Sequence, residues 1–272
     1  MGGTEMSEKD EYAELTLLKG IDLEGKVAIV TGAGQGIGKA TAHVLSRAGC
    51  RIVIGEINPE TGPATAQEIN EMGGAAVAVE MDVAIKQDAG RLAQTALERF
   101  GTIDILANIA GLYPSVLVHE MEEEQWDRIY DVNIKGIFNC CQAVLPTMME
   151  KRSGRIVSIA SVDGMQPGVL PGRSGYGNSH YCSSKGAVIT FTKCLAAEMG
   201  PYGVQVNAIS PGWVATETAL SGGRFYEGLT SVPLGRGAEP KEVAQIVLFL
   251  CSEATTFMTG ENLVFSGGCV MD

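Results

Sequence analysis

A chain of 272 residues, 45% apolar and with 35 glycines, is long enough for one large core joined by many tight turns. Its formal net charge of −12 argues against nucleic acid and against an anionic membrane surface as partners. Seven cysteines without a Cys-x-x-Cys pair, and three scattered histidines (His43, His119, His180), offer neither a disulfide framework nor a metal site; they read as a cytoplasmic protein with reduced thiols.

Residues 1–20 read as an acidic arm: part of the negative excess sits there, and they lack the basic start and apolar run of a signal peptide. No later apolar run approaches the length of a membrane span. From residue 21 a single domain is expected. Lys26 to Thr31 is a short β-branched run, the pattern of a buried parallel strand, and breaks into Gly32, Gly34, Gly36 and Gly38. A helix follows, with Ala40, Val44 and Leu45 on one face. Strand, glycine turn and helix in that order make a dinucleotide-binding start, in which helix N–H groups meet a pyrophosphate.

The alternation then continues. Strands are predicted at 50–56, 76–81, 103–107, 155–160, 204–209 and 262–265, and helices at 60–72, 87–100, 122–150 in two pieces, 181–199 and 240–251. Residues 164–180 form a long loop rich in Gly and Pro, and residues 216–237 lack periodicity and resemble a mobile segment. This is the pattern of an α/β fold, a doubly wound parallel sheet.

Several side chains suit chemistry. Glu56 ends the second strand, 18 residues past Gly38, where a carboxylate accepts hydrogen bonds from ribose hydroxyls and repels a 2′-phosphate. Asp82 ends the third strand and suits either an adenine amino group or a helix N-cap. Tyr181 and Lys185 lie one helical turn apart, and an ammonium beside a phenol favours phenolate, making a proton donor and acceptor.

These residues carry a resemblance. Over residues 21–272 the chain resembles the classical short-chain dehydrogenase/reductases. Thr31 to Gly38 fits their glycine turn, Asn108-Ile109-Ala110-Gly111 their Asn-Asn-Ala-Gly motif, and Ser161 and Tyr181-x-x-x-Lys185 their catalytic residues; Asn133 lies where their active-site Asn lies, and Pro211-Gly212 to Thr216 fits their nicotinamide cradle. The resemblance implies a Rossmann fold and a tetrad. Tyr181 is then the acid/base, Lys185 lowers its pKa and holds the nicotinamide ribose, Ser161 steadies the substrate oxygen, and Asn133 holds a relay water. It also implies a cofactor site at Gly32, Gln35, Gly36, Ile37, Gly38, Glu56, Asp82, Val83, Asn108, Ala110, Gly111, Pro211, Gly212, Val214 and Thr216, with Tyr181 and Lys185 at its nicotinamide end. A homotetramer is the implied assembly.

Three departures stand out. Ile109 replaces a polar Asn and puts a cross-sheet tether in doubt, and Ser266 replaces the more usual Asp. Ser161 and Tyr181 are separated by 19 residues, more than is common, with Val169, Leu170 and Arg173 expected beside the substrate mouth and Tyr176 as a rival phenol lacking a Lys partner. Within the family the chain looks like 3-oxoacyl carrier-protein reductases and like polyol or hydroxysteroid dehydrogenases. The first branch usually takes NADPH, and Glu56 opposes that. The expectation is therefore NAD as cofactor and a secondary alcohol or its ketone as a small-molecule substrate, with a 3-oxoacyl reductase or a dinucleotide-sensing module as alternatives.

Overall fold

Five consecutive small or β-branched residues form β1 (Val27–Thr31), buried at every position. The computed structural model describes Tyr12, Leu18 and residues 20–166, 178–221 and 224–271. Around β1 stand β2 (Arg51–Glu56), β3 (Ala75–Glu80), β4 (Ile105–Asn108), β5 (Gly154–Ile159), β6 (Val204–Pro211) and β7 (Asn262–Phe265). They make one sheet in the order β3-β2-β1-β4-β5-β6-β7, every pair parallel. The chain reverses its direction of winding between β1 and β4, which opens a crevice at the carboxyl ends of those strands.

Side chains alternate along each strand and so feed two cores. Ala28, Val30, Ile52 and Ile54 pack with α1 (Gly36–Arg47), α2 (Thr61–Glu71) and, near the chain's end, a helix at Pro240–Cys251. Val27, Ile29, Val53 and Leu106 pack on the other face with α3 (Lys86–Phe100) and with helices at Gly136–Glu150 and Ser179–Met199. Thiols sit in both cores: Cys50 and Cys251 in the first, Cys140 and Cys141 in the second.

The helical stretch expected at 122–150 is two helices, α4 (Glu123–Tyr130) and α5 (Gly136–Glu150), joined by a π turn at Asp131–Lys135. A reciprocal cap between Glu122 and Gln125 starts α4. The helix carrying Tyr181 is α6 (Ser179–Met199). The segment after β6, expected to lack structure, folds instead into α7 (Glu217–Ser221), α8 (Arg224–Gly228) and a short turn at Leu229–Ser231. Helices this short hide no 3.6-residue period long enough to read. The last helix, α9 (Pro240–Cys251), begins at a proline in its first turn with a Glu239–Glu242 cap.

Of the acidic arm, Tyr12 stacks on the buried His43 ring of α1 at 4.3 Å, and His43 Nε2 lies 3.1 Å from Glu68 of α2. The expected loop residues Val169, Leu170, Arg173 and Tyr176 fall outside the described residues. Among the described residues, no helix is long and apolar enough to cross a membrane, and no cluster of potential metal ligands occurs.

Candidate active site

The site begins where β1 ends. Gly32 has φ +66°, and a Cβ on it would stand 2.7 Å from Ala110 Cα; one on Gly38 would stand 2.0 Å from the Gly32 carbonyl oxygen. Only hydrogen fits at both places, so the turn brings β1, the start of α1 and the end of β4 into backbone contact. Thr31 Oγ1 accepts from the N–H groups of Ile109 and Ala110 at 3.1 and 3.3 Å. The tether that Ile109 put in doubt is therefore made by its backbone, while its side chain packs into the core.

Gln35 precedes α1 in an extended conformation, and no side chain caps the helix. Gln35, Gly36, Ile37 and Gly38 line a cavity of about 780 Å³ that runs along the crevice. Open first-turn N–H groups and a positive helix end there suit a pyrophosphate. At one end of the cavity, Glu56 Oε2 accepts from Gly34 N–H at 2.8 Å, and Oε1 accepts from the N–H groups of Ile57 and Asn58. Asp82 Oδ1 accepts from Ala84 N–H at 2.9 Å, and Oδ2 pairs with Arg128 of α4 at 2.9 Å. Asp82 therefore caps the turn ahead of α3 and not the helix, whose N-cap is Ile85, and its carboxylate borders the cavity beside Val83. These residues fit a nicotinamide dinucleotide: a glycine cradle, an uncapped helix start and a ribose-side acid share one cavity.

Pro211, Gly212, Val214 and Thr216 close the cavity from the end of β6, with the Thr216 methyl 3.2 Å from where a Gly36 Cβ would stand. Ala110 and Gly111 line the floor. Asn108, expected at the cofactor, does not reach the cavity. It is buried between strands, where its amide donates to Ser158 Oγ at 3.3 Å and toward Cys141 Sγ. The motif's side chain ties β4 to β5 and α5, and its neighbours face the cavity.

The other end of the cavity holds Ser161, Tyr181 and Lys185 together. Ser161 follows β5, its Oγ accepts from Asp163 N–H at 3.1 Å, and it hydrogen-bonds the Tyr181 phenol. Lys185 Nζ donates to Ile159 O at 2.7 Å and lies 5.9 Å from the Tyr181 ring centre. Burial lowers the Lys185 pKa from 10.5 to about 8. Burial also raises the Tyr181 phenol above its ordinary value, with the Ser161 hydrogen bond opposing and the Asp163 charge adding to the rise. In the protein alone the phenol's pKa thus moves up where a drop was expected, because desolvation outweighs the Ser161 hydrogen bond, and the same burial loosens the lysine's own proton.

Asn133 sits in the π turn, fully buried, and does not line the cavity. Its Oδ1 accepts from Leu112 N–H at 2.8 Å, while Nδ2 donates to Leu112 O and to Ser184 Oγ. The side chain braces the strand-end loop to α6. A Cβ on Gly111 would touch both Asn133 Oδ1 and Lys185 Nζ, at 3.4 and 3.5 Å, so the three residues are immediate neighbours.

The structure adds lining residues that pattern reading passed over. Tyr113 meets Tyr181 edge-on at 6.4 Å between ring centres, and Trp213 meets Phe225 of α8 at 6.3 Å. Asp163, Gln166, Asn178, Cys269 and Val270 complete the mouth. Asp163 had a signal in the sequence, an acid two residues past Ser161. Phe225 had none, being over forty positions from Tyr181.

The family described as Enoyl-(Acyl carrier protein) reductase matches residues 32–270. The chain is 35% identical to a 3-oxoacyl-[acyl-carrier-protein] reductase of Thermotoga maritima, covering 92% of this chain and 99% of the relative. It is 39% identical to the protein of that name from Synechocystis, covering 92% and 98%. A crystal structure of a short-chain type dehydrogenase/reductase from Mycobacterium marinum superposes with a TM-score of 0.86 at 32% identity, covering 93% of this chain and 98% of that one.

Proposed function

Since this chain belongs to the classical short-chain dehydrogenase/reductase family and is an oxidoreductase, we propose that it reduces the keto group of a 3-oxoacyl substrate to a secondary hydroxyl. The observation that carries the reading is the convergence of Ser161, Tyr181 and Lys185 at one end of a cavity whose other end is the glycine turn. The substrate class is supported by the names of the relatives.

A nicotinamide dinucleotide held by the turn of Gly32 to Gly38, by Glu56 and by Pro211 to Thr216 would supply the hydride. The residues of the chain manage the oxygen. Ser161, held by Asp163 N–H and hydrogen-bonded to the Tyr181 phenol, turns its own proton to the substrate's keto oxygen when that oxygen enters between them. Tyr181, whose raised pKa keeps it protonated near neutrality, gives its proton to that oxygen as negative charge develops. Lys185, fixed by Ile159 O, stands behind the phenol and offsets the charge left on it. Asn133 keeps Leu112 and the cavity floor in place.

We propose NAD(H) as the cofactor, on the strength of Glu56: a 2′-phosphate would meet a carboxylate fixed by three backbone N–H groups. The test is loss of reduced-nicotinamide absorbance with an acetoacetyl thioester. NADH consumption faster than NADPH consumption is expected, and no consumption with either cofactor overturns the reading. A second reading, an NAD-dependent dehydrogenase of simple secondary alcohols, is favoured by the same Glu56. NAD⁺ reduction by an alcohol panel without turnover of the thioester would select it. A dinucleotide-sensing module turns over neither.

A further inference from the structure

Beyond Glu56 the cavity is bordered by a side chain that no motif marks, Arg128. Arg128 and Val132 stand four residues apart, where α4 runs into the π turn, and both line the cavity, so one face of that helical run looks into it. The neighbouring wall is the end of β3. Met81 N–H donates to Glu56 O at 2.8 Å, which sets Met81, Asp82 and Val83 beside the ribose-side acid. The next helix fixes Val83 in turn: a Cβ on Gly136 would stand 2.7 Å from Val83 Cγ2, and Asn139 Nδ2 donates to Val83 O at 3.0 Å. With a pyrophosphate at the start of α1 and a ribose at Glu56, the base of the dinucleotide falls between the end of β3 and Arg128.

The position of Asp82 suits an adenine amino group, but both of its oxygens are already engaged. Oδ1 accepts from Ala84 N–H at 2.9 Å, and Oδ2 accepts from Arg128 Nη1 at 2.9 Å. The second bond is charge-assisted, and a neutral amino group offers Oδ2 a weaker one than the guanidinium that holds it. What the wall presents to the base is the guanidinium itself, a planar cation pinned by Asp82. Such a cation binds the face of an aromatic ring whatever groups stand on the ring's edge.

We propose that Arg128 is the base-binding residue of this site: it stacks on the purine, screens Asp82 from the purine's edge, and so makes the chain tolerant of the group at the purine's C6. The proposal deepens the dinucleotide reading of the cavity and rests on it, and it is independent of the substrate.

The test is calorimetric titration with NAD⁺ and with nicotinamide hypoxanthine dinucleotide, which carries a carbonyl oxygen where adenine carries its amino group. It reads binding without turnover. In the parent the two Kd values are expected to lie within about threefold of each other. If Asp82 took the amino bond, the hypoxanthine oxygen would meet a carboxylate and bind about tenfold or more weakly. Arg128→Met keeps the stem, removes the flat cation and uncovers Asp82. The hypoxanthine dinucleotide is then expected to lose about tenfold or more and NAD⁺ less, so that a discrimination absent from the parent appears. Arg128→Lys keeps the charge beside Asp82 without the planar face; both dinucleotides are expected to weaken about three- to tenfold with their ratio still near one. Urea midpoints check that each variant is folded. A parent preference for NAD⁺ of about tenfold or more overturns the proposal. So do affinities unchanged in Arg128→Met, or an equal loss for both dinucleotides there, which is what loosened packing alone gives. Binding of neither NAD⁺ nor NADP⁺ by the parent overturns the dinucleotide reading itself, an outcome distinct from these.

Discussion

Tyr181 and Lys185 are driven in opposite directions by the same burial: the phenol holds its proton more tightly and the ammonium less. For Tyr181 this favours the protonated acid needed in the reducing direction. Tyr181→Phe keeps the ring and removes that proton. Turnover is expected to fall by about two orders of magnitude or more, while nicotinamide binding by fluorescence titration stays near the parent value. For Lys185 the consequence concerns stability. Its folded pKa of about 8 lies below the ordinary 10.5, so between those values the unfolded chain binds the extra proton, and this group's contribution to stability rises with pH. The urea midpoint of the parent relative to Lys185→Met is therefore expected to increase from about pH 7 to pH 9.5. Glu56 makes a third expectation. Glu56→Ser with Ile57→Arg removes the repelling carboxylate and adds a cation at the rim, which narrows or reverses the NAD preference measured as a kcat/KM ratio.

Elements with a strong period were legible in the sequence, and elements fixed by packing were not. The buried runs of β1 and β2 and the helix α9 read within a residue of their observed bounds, because consecutive β-branched residues and a proline start leave few alternatives. The interruption between α4 and α5 was visible through Asn133 and Gly136, yet its π geometry depends on a tertiary bond from the Asn133 amide to Leu112, which no local pattern encodes. The site shows the same division. Residues in recurring motifs, Ser161, Tyr181 and Lys185, meet in the cavity as read, whereas Asn108 and Asn133 turn their amides into the fold. Phe225 and Trp213 enter only because α8 packs on Trp213, just past β6, a contact between segments with no shared signal. The brace itself is testable. Asn133→Ala leaves Leu112 and Ser184 without three bonds, and a stability loss of about 2–3 kcal/mol is expected from urea unfolding.

Across the whole molecule, apolar surface is left uncovered on the α4–α5 side, where Trp126 is 40% and Phe138 44% exposed. We propose a homotetramer that covers this side, in keeping with the family. Sedimentation at micromolar concentration is expected to show four copies, and Phe138→Glu a smaller species. The two cores give the molecule another property. Burial pushes the Cys141 and Cys251 thiols up to about 12, and Cys50 and Cys140 upward as well, while Cys194 is exposed. Only a thiolate reacts with an alkylating reagent, so the buried four stay silent until the fold opens, and Cys194 marks the reagent's arrival. Each face of the sheet thus carries its own chemical clock. Cys50 and Cys251 keep time for one layer of helices, and Cys140 and Cys141 for the other. Matched alkylation rates by mass spectrometry would mean that the layers are shed in one event, and a lag between them would reveal which layer is the last to let go.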